Sequence, residues 1–94
     1  MASADQNGSL SAGELAKAAL ATVHELTGYQ PEAATGLEWD GESWCVTVDV
    51  LELSRIPNTT DVLGQYEVRL DGDGSLRGYR RVRRYRRGDA REEE

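Results

Sequence analysis

Two runs of strict alternation constrain the fold more than any other feature of the chain. Trp44-Cys45-Val46-Thr47-Val48-Asp49-Val50 and Tyr66-Glu67-Val68-Arg69-Leu70 each set larger apolar groups at every second position. That is the pattern of a strand with one buried face. Between them lies Ser54-Arg55-Ile56-Pro57-Asn58-Thr59-Thr60-Asp61, rich in hydrogen-bonding groups and bearing opposite charges at Arg55 and Asp61. Such a composition predicts an ordered loop, not a tether.

A helix precedes these strands. Ser11-Ala12-Gly13-Glu14 fits a capping box, in which the Ser hydroxyl and the Glu carboxylate each accept from a free N–H of the first turn. Leu15, Ala19, Val23 and Leu26 recur at spacings of three and four, and Gly28 suits a left-handed terminator. The helix is expected over about residues 11–27, with a thin stripe suited to lying close on a sheet. Pro31 reads as a breaker, and a strand is expected from Gly36 to Trp39. Asp40-Gly41-Glu42-Ser43 is a tight-turn signal that would set Trp39 opposite Trp44.

In the following strand Trp44, Val46, Val48 and Val50 face one way, after which the phase slips to Leu51 and Leu53. A bulge near Val50-Leu51 would account for the slip. Val62 to Leu70 forms the third strand and Asp71-Gly72-Asp73-Gly74 the next hairpin turn. The segment from Leu76 to Arg87 is unusual, because Tyr79, Val82 and Tyr85 recur every third residue with arginine pairs between them. A fourth strand with a bulge around Arg80-Arg81 is expected. The fold class is therefore α+β, a two-layer sandwich of an N-terminal helix on a four-stranded antiparallel meander. Residues 1–10 read as a disordered lead-in, 11–88 as a single domain and 89–94 as a charged disordered tail.

The 94 residues are enough for one domain of modest core. The formal charge of −6 hides a strong asymmetry. Residues 1–68 carry eleven acids against Lys17 and Arg55, and residues 69–91 carry nine arginines against Asp71, Asp73 and Asp89. Glu92 to Glu94 add an acidic tip. An acidic body with a basic late segment speaks to partners rather than to fold. The single Cys45 makes no internal disulfide, and no apolar run approaches the roughly 20 residues of a membrane span. The first eight residues lack the basic and apolar regions of a secretion signal. A cytoplasmic location is expected.

No residue set points to catalysis. His24 lies mid-helix with no Ser or Cys near it, and Cys45 lacks a local metal-ligating partner, so it reads as a semi-buried structural thiol. Asp71-Gly72-Asp73-Gly74-Ser75 echoes a calcium loop, but the mid-loop glycine is missing and Val82 stands where a bidentate Glu is needed. Neither a metal nor a cofactor is expected. The sharpest electrostatic feature is Tyr79-Arg80-Arg81-Val82-Arg83-Arg84-Tyr85-Arg86-Arg87. Interleaved arginine and tyrosine can bind phosphate and stack bases, but the acidic body disfavours nucleic acid. An acidic protein surface fits better, because the guanidinium fork grips carboxylates bidentately. The bland alternative is a solvated strand face whose arginine stems cover apolar surface. For Arg55 and Asp61, an intraloop ion pair or backbone clamp stands beside a recognition role for the loop.

Taken together, these residues resemble the gas vesicle protein O (GvpO) family. The resemblance rests on Trp44…Val46…Val48, Glu52…Arg55-Ile56-Pro57-Asn58-Thr59-Thr60-Asp61-Val62-Leu63, Tyr66-Glu67-Val68 and Asp71…Gly74…Leu76…Gly78-Tyr79-Arg80-Arg81…Arg84-Tyr85. It covers about residues 11–88. It implies a small cytoplasmic, non-enzymatic accessory protein of gas vesicle formation, with other gas vesicle proteins as partners. The family pattern falls on Glu52, Arg55, Pro57, Thr59, Asp61, Tyr66, Glu67, Tyr79, Arg84 and Tyr85, while Asp49 departs from an expected longer Glu. Partner binding is expected at Tyr79, Arg80, Arg81, Arg83, Arg84 and Tyr85. An ordered structural role is expected for Glu52, Arg55, Pro57, Thr59, Asp61, Tyr66 and Glu67. A nucleic-acid-binding regulator using the same arginines is the alternative, and a bare sheet face or edge could also make a homodimer.

Overall fold

The computed structural model describes residues 9–92. Helix α1 (Ala12–Thr27) is followed by strands β1 (Gln30–Trp39), β2 (Trp44–Leu53), β3 (Val62–Leu70) and β4 (Leu76–Arg86), then by a short helix α2 (Arg87–Glu92). The four strands form one antiparallel sheet in the order β1-β2-β3-β4, a meander. The expected α+β architecture is the one observed.

Helix α1 starts as its sequence demands. The Ser11 hydroxyl accepts from the Glu14 N–H at 3.2 Å, and Glu14 accepts from the Ser11 N–H at 2.8 Å. Gly28 ends it at φ 79°, donating its N–H to the His24 carbonyl. The buried stripe is narrower than expected: Leu15, Ala19 and Val23 are buried, while Leu26 faces solvent. With only small or medium side chains in the stripe, the helix packs close on β1, β2 and β3. These residues meet Val46, Val48, Val50, Tyr66, Val68 and Leu70 from the sheet. The expected lead-in is partly ordered: Leu10 donates its N–H to Gly72 and packs on this core. Residues 1–8 lie outside the described part.

Strand β1 starts six residues earlier than expected, at Gln30. Pro31 does not break it, because an edge strand tolerates a missing donor, and β1 absorbs two register shifts nearby. Trp39 and Trp44 are cross-strand partners with ring centroids 5.4 Å apart, as their turn predicts. Asp40 shapes that turn by accepting from the N–H groups of Glu42 and Ser43. These backbone donors hold its carboxyl below the usual carboxylate range.

The bulge in β2 falls at Glu52, just beyond its expected place. Leu51 pairs with Leu63 and Leu53 with Val62. Leu51 alternates normally to the second face, where the buried Leu63 and then Tyr85 lie across from it. In β4 the inserted residue is Val82, not Arg80-Arg81, since Arg83 pairs with Gln65 and Arg81 with Tyr66. The period of three thus resolves into two normal alternations joined by one extra residue. The expected tail is corrected in part: Arg87–Glu92 is helical. Arg87 anchors its start and Arg86 pairs with Asp89 at 3.3 Å. Residues 93–94 lie outside the described part.

Candidate functional site

Helix α1 leaves β4 uncovered, so the arginine strand sits at an open rim of the sheet. Cross-strand register divides its side chains. Tyr79, Arg81 and Arg84 lie opposite Val68, Tyr66 and Gly64, on the helix side; Arg80, Arg83 and Tyr85 lie opposite Glu67, Gln65 and Leu63, on the other face.

On the helix side one carboxylate organises the strand. The Glu52 side chain is only 3% exposed, and accepts from Arg84 Nε at 2.9 Å while its second oxygen lies 3.3 Å from Arg81 Nε. Its space comes from Gly64, since any Cβ there would collide with the Glu52 carboxylate. The bulge at Glu52 and the glycine opposite it together let an acid enter a strand interior. Tyr66 and then Glu52 hold Arg81 more firmly protonated. Tyr79 stacks on the buried Tyr66 with ring centroids 6.1 Å apart.

On the open face Arg80 pairs with Glu67 at 3.1 Å, and Arg83 lies 4.4 Å over the Tyr85 ring. The Tyr85 hydroxyl donates to Asp49 at 3.1 Å, and burial followed by that acid raises its pKa. Asp49 is thus long enough for the partner this chain supplies. Cys45 is half-buried and unbonded on the same face, its thiol pushed up by burial and by Glu67, Asp40 and Glu38. That disfavours the reactive thiolate.

The loop is ordered. A 3₁₀ turn, Asn58–Thr60, follows a cis Ile56–Pro57 peptide. The Pro57 carbonyl accepts from the N–H and the hydroxyl of Thr60, and the exposed Thr59 lies against Gly88. The expected Arg55–Asp61 contact exists, but as a backbone clamp: the Arg55 N–H donates to Asp61 Oδ1 at 2.8 Å. The guanidinium that reaches Asp61 is Arg87's, at 3.0 Å, and Arg87 also donates both terminal nitrogens to Glu32 at 3.1 and 2.7 Å. The Arg55 N–H first, then Arg87, keeps the Asp61 carboxyl below its ordinary range.

Glu32 and Arg87 were missed as a site because they stand 55 positions apart. Only their fit to Asp61 joins them, and no local pattern signals it. Of the arginines expected to bind a partner, Arg80, Arg81 and Arg84 pair with acids of their own chain, as do Arg86 and Arg87 beyond them. Among the described residues no cluster of His, Cys, Asp and Glu could hold a metal, and no helix is long and apolar enough to cross a membrane. His24 spends its ring on the chain, donating from Nδ1 to the Tyr29 carbonyl at 2.9 Å.

Comparison with known proteins converges on one family. Residues 1–91 match the family model described as gas vesicle synthesis protein GvpO. The chain is 49% identical over 72 residues to gas vesicle protein O of a Streptomyces species, covering 77% of this chain and 56% of that protein. It is 41% identical over 71 residues to gas vesicle protein O1 of Halobacterium salinarum, covering 76% and 60%. Gas vesicle protein O of Haloferax mediterranei is 41% identical over 70 residues, covering 73% and 50%. The match thus spans only half to three fifths of these relatives. No solved structure matches the chain. On the family match and these identities, the chain belongs to the gas vesicle synthesis protein GvpO family.

Proposed function

We propose that this chain is a non-enzymatic accessory protein of gas vesicle formation that acts by binding other gas vesicle proteins. Family membership supports the process. The observation that carries the binding role is the open rim of β4, where Arg80 is 73% exposed although paired with Glu67. An exposed pair of this kind is worth only about 0–1 kcal/mol, so a partner carboxylate can take the guanidinium at little cost. Arg83 and Tyr85 extend the same rim. Arg81 and Arg84 are held in place by the buried Glu52, whose single charge leaves one of their two uncompensated. Self-neutralisation of the arginines supports a protein partner over nucleic acid, whose affinity comes largely from uncompensated cations.

The test is capture of co-produced gas vesicle proteins by the tagged chain. Replacing Arg80→Gln and Arg83→Gln together should reduce capture severalfold without altering the circular dichroism spectrum. Undiminished capture would reject the rim as the contact. Retardation of a DNA or RNA probe that weakens with salt, with no protein captured, would favour the nucleic-acid reading.

A further inference from the structure

We infer that the Arg55–Asp61 loop is a docking knob for an acidic amphipathic segment of a second protein. This rests on the protein-binding reading above but assigns a separate contact. Ile56 is 99% exposed, the largest exposure of any described large apolar residue. It is not on a slack loop. Asp61 ties to the Arg55 N–H, to Arg87 and to the Asn58 carbonyl, and the Arg87 N–H donates to the Asp61 carbonyl. The chain therefore holds a β-branched apolar side chain in water at a fixed position, on a clamp that no other contact of Ile56 requires. Leu53, 47% exposed, adds apolar surface at the same end. Beside it lies a shallow depression lined by Tyr29, Glu52, Leu53, Arg55, Val62 and Arg84.

Charge identifies the occupant. Arg81 and Arg84 share the single carboxylate of Glu52, which leaves one positive charge over. The Arg55 guanidinium makes no ion pair with any described residue and adds a second. The acids nearest along the loop and strand β1, Asp61 and Glu32, share the one guanidinium of Arg87, which leaves one negative charge over. Arg55, Arg81, Arg84 and Arg87 against Glu32, Glu52 and Asp61 still leave this corner one positive charge net, in a chain of net charge −6. A second copy docked symmetrically would set arginine against arginine, a like-charge arrangement that costs affinity. A segment with apolar side chains along one face and carboxylates on the flanks satisfies Ile56, Leu53, Arg55 and Arg84 together. An amphipathic helix laid in a groove has that form.

The probe is a synthetic helical peptide of about five turns, with leucines on one face and glutamates on the flanks. Its counterpart carries lysines in place of the glutamates. The glutamate peptide should bind the full chain, and Ile56→Asp or Arg55→Glu should each weaken it at least tenfold, with Arg55→Lys largely retained. Both side chains are exposed, so these variants should keep the wild-type unfolding midpoint. Equal binding of the two peptides, no binding, or indifference to both variants overturns the inference. So does binding to phosphatidylglycerol–phosphatidylcholine vesicles in place of the peptide. If Arg80→Gln with Arg83→Gln lowers capture of gas vesicle proteins while Ile56→Asp does not, the knob fails and the proposed function stands. If the peptide binds as expected but no gas vesicle protein is captured, the proposed function fails and the knob stands.

Discussion

Arg87 grips Glu32 with both terminal nitrogens, joining the residue after the last strand to the first strand across two intervening ones. The same guanidinium closes the loop through Asp61. With both acids engaged, its pKa is raised, Glu32 contributing most. Replacing Arg87→Ala should cost about 1–2 kcal/mol in urea unfolding, because it strands the buried Asp61 carboxylate. Glu32→Gln should cost under about 1 kcal/mol, since that acid is partly solvated. Equal effects would place the strap's weight on Glu32 and not on the loop.

Acid should weaken the fold in a definite window. The carboxyls of Asp40, Asp61 and Asp73 are all held below 3.8 by hydrogen bonds, from Glu42 N–H, Arg55 N–H and Ser75 respectively. A folded pKa below the unfolded one means the unfolded chain binds more protons between the two. Their contribution is therefore complete above the unfolded value and is lost as pH falls through the folded one. The urea midpoint should hold steady above about pH 5 and decline below about pH 4. Asp61→Asn should flatten part of that decline. A decline starting near neutrality would point to other groups.

The arginines of β4 should separate into two classes. Arg80→Gln with Arg83→Gln should leave the unfolding midpoint almost unchanged, as expected of exposed pairs. Arg81→Gln with Arg84→Gln strands Glu52 in a buried position and should destabilise by about 2–4 kcal/mol. Adding Glu52→Gln should recover part of that loss. Failure to recover it would mean that the arginine stems, and not the charge, supply the stability.

Gly64→Ala should be destabilising by about 1–3 kcal/mol, because its methyl would occupy the space of the Glu52 carboxylate. The effect should shrink in a Glu52→Ala background. A double-mutant cycle reads the coupling directly.

How far the sequence spoke for the structure depends on the range of the interactions. The Ser11–Glu14 box, the Trp39–Trp44 pair and the alternation of Val46, Val48 and Val50 are local, and local spacing specified them. Leu26 was misassigned because helical spacing does not say where the sheet beneath ends. The bulges at Glu52 and Val82 were displaced from their expected places because a strand's phase depends on its neighbour. Gly64, twelve positions from Glu52, makes the first one tenable. For the candidate site, the order of the Arg55–Asp61 loop was legible, but the partner of Asp61 was not. Arg87 reaches it only after the whole sheet has formed.

Both outer strands of the sheet are irregular. β1 slips register twice, and carries Pro31 beside the first slip; β4 inserts extra residues at Arg77 and Val82. A strand interrupted this way is a poor template for main-chain pairing with a newcomer. Strand addition at either edge is therefore disfavoured, and the surface left for recognition is one of side chains rather than of free main-chain groups.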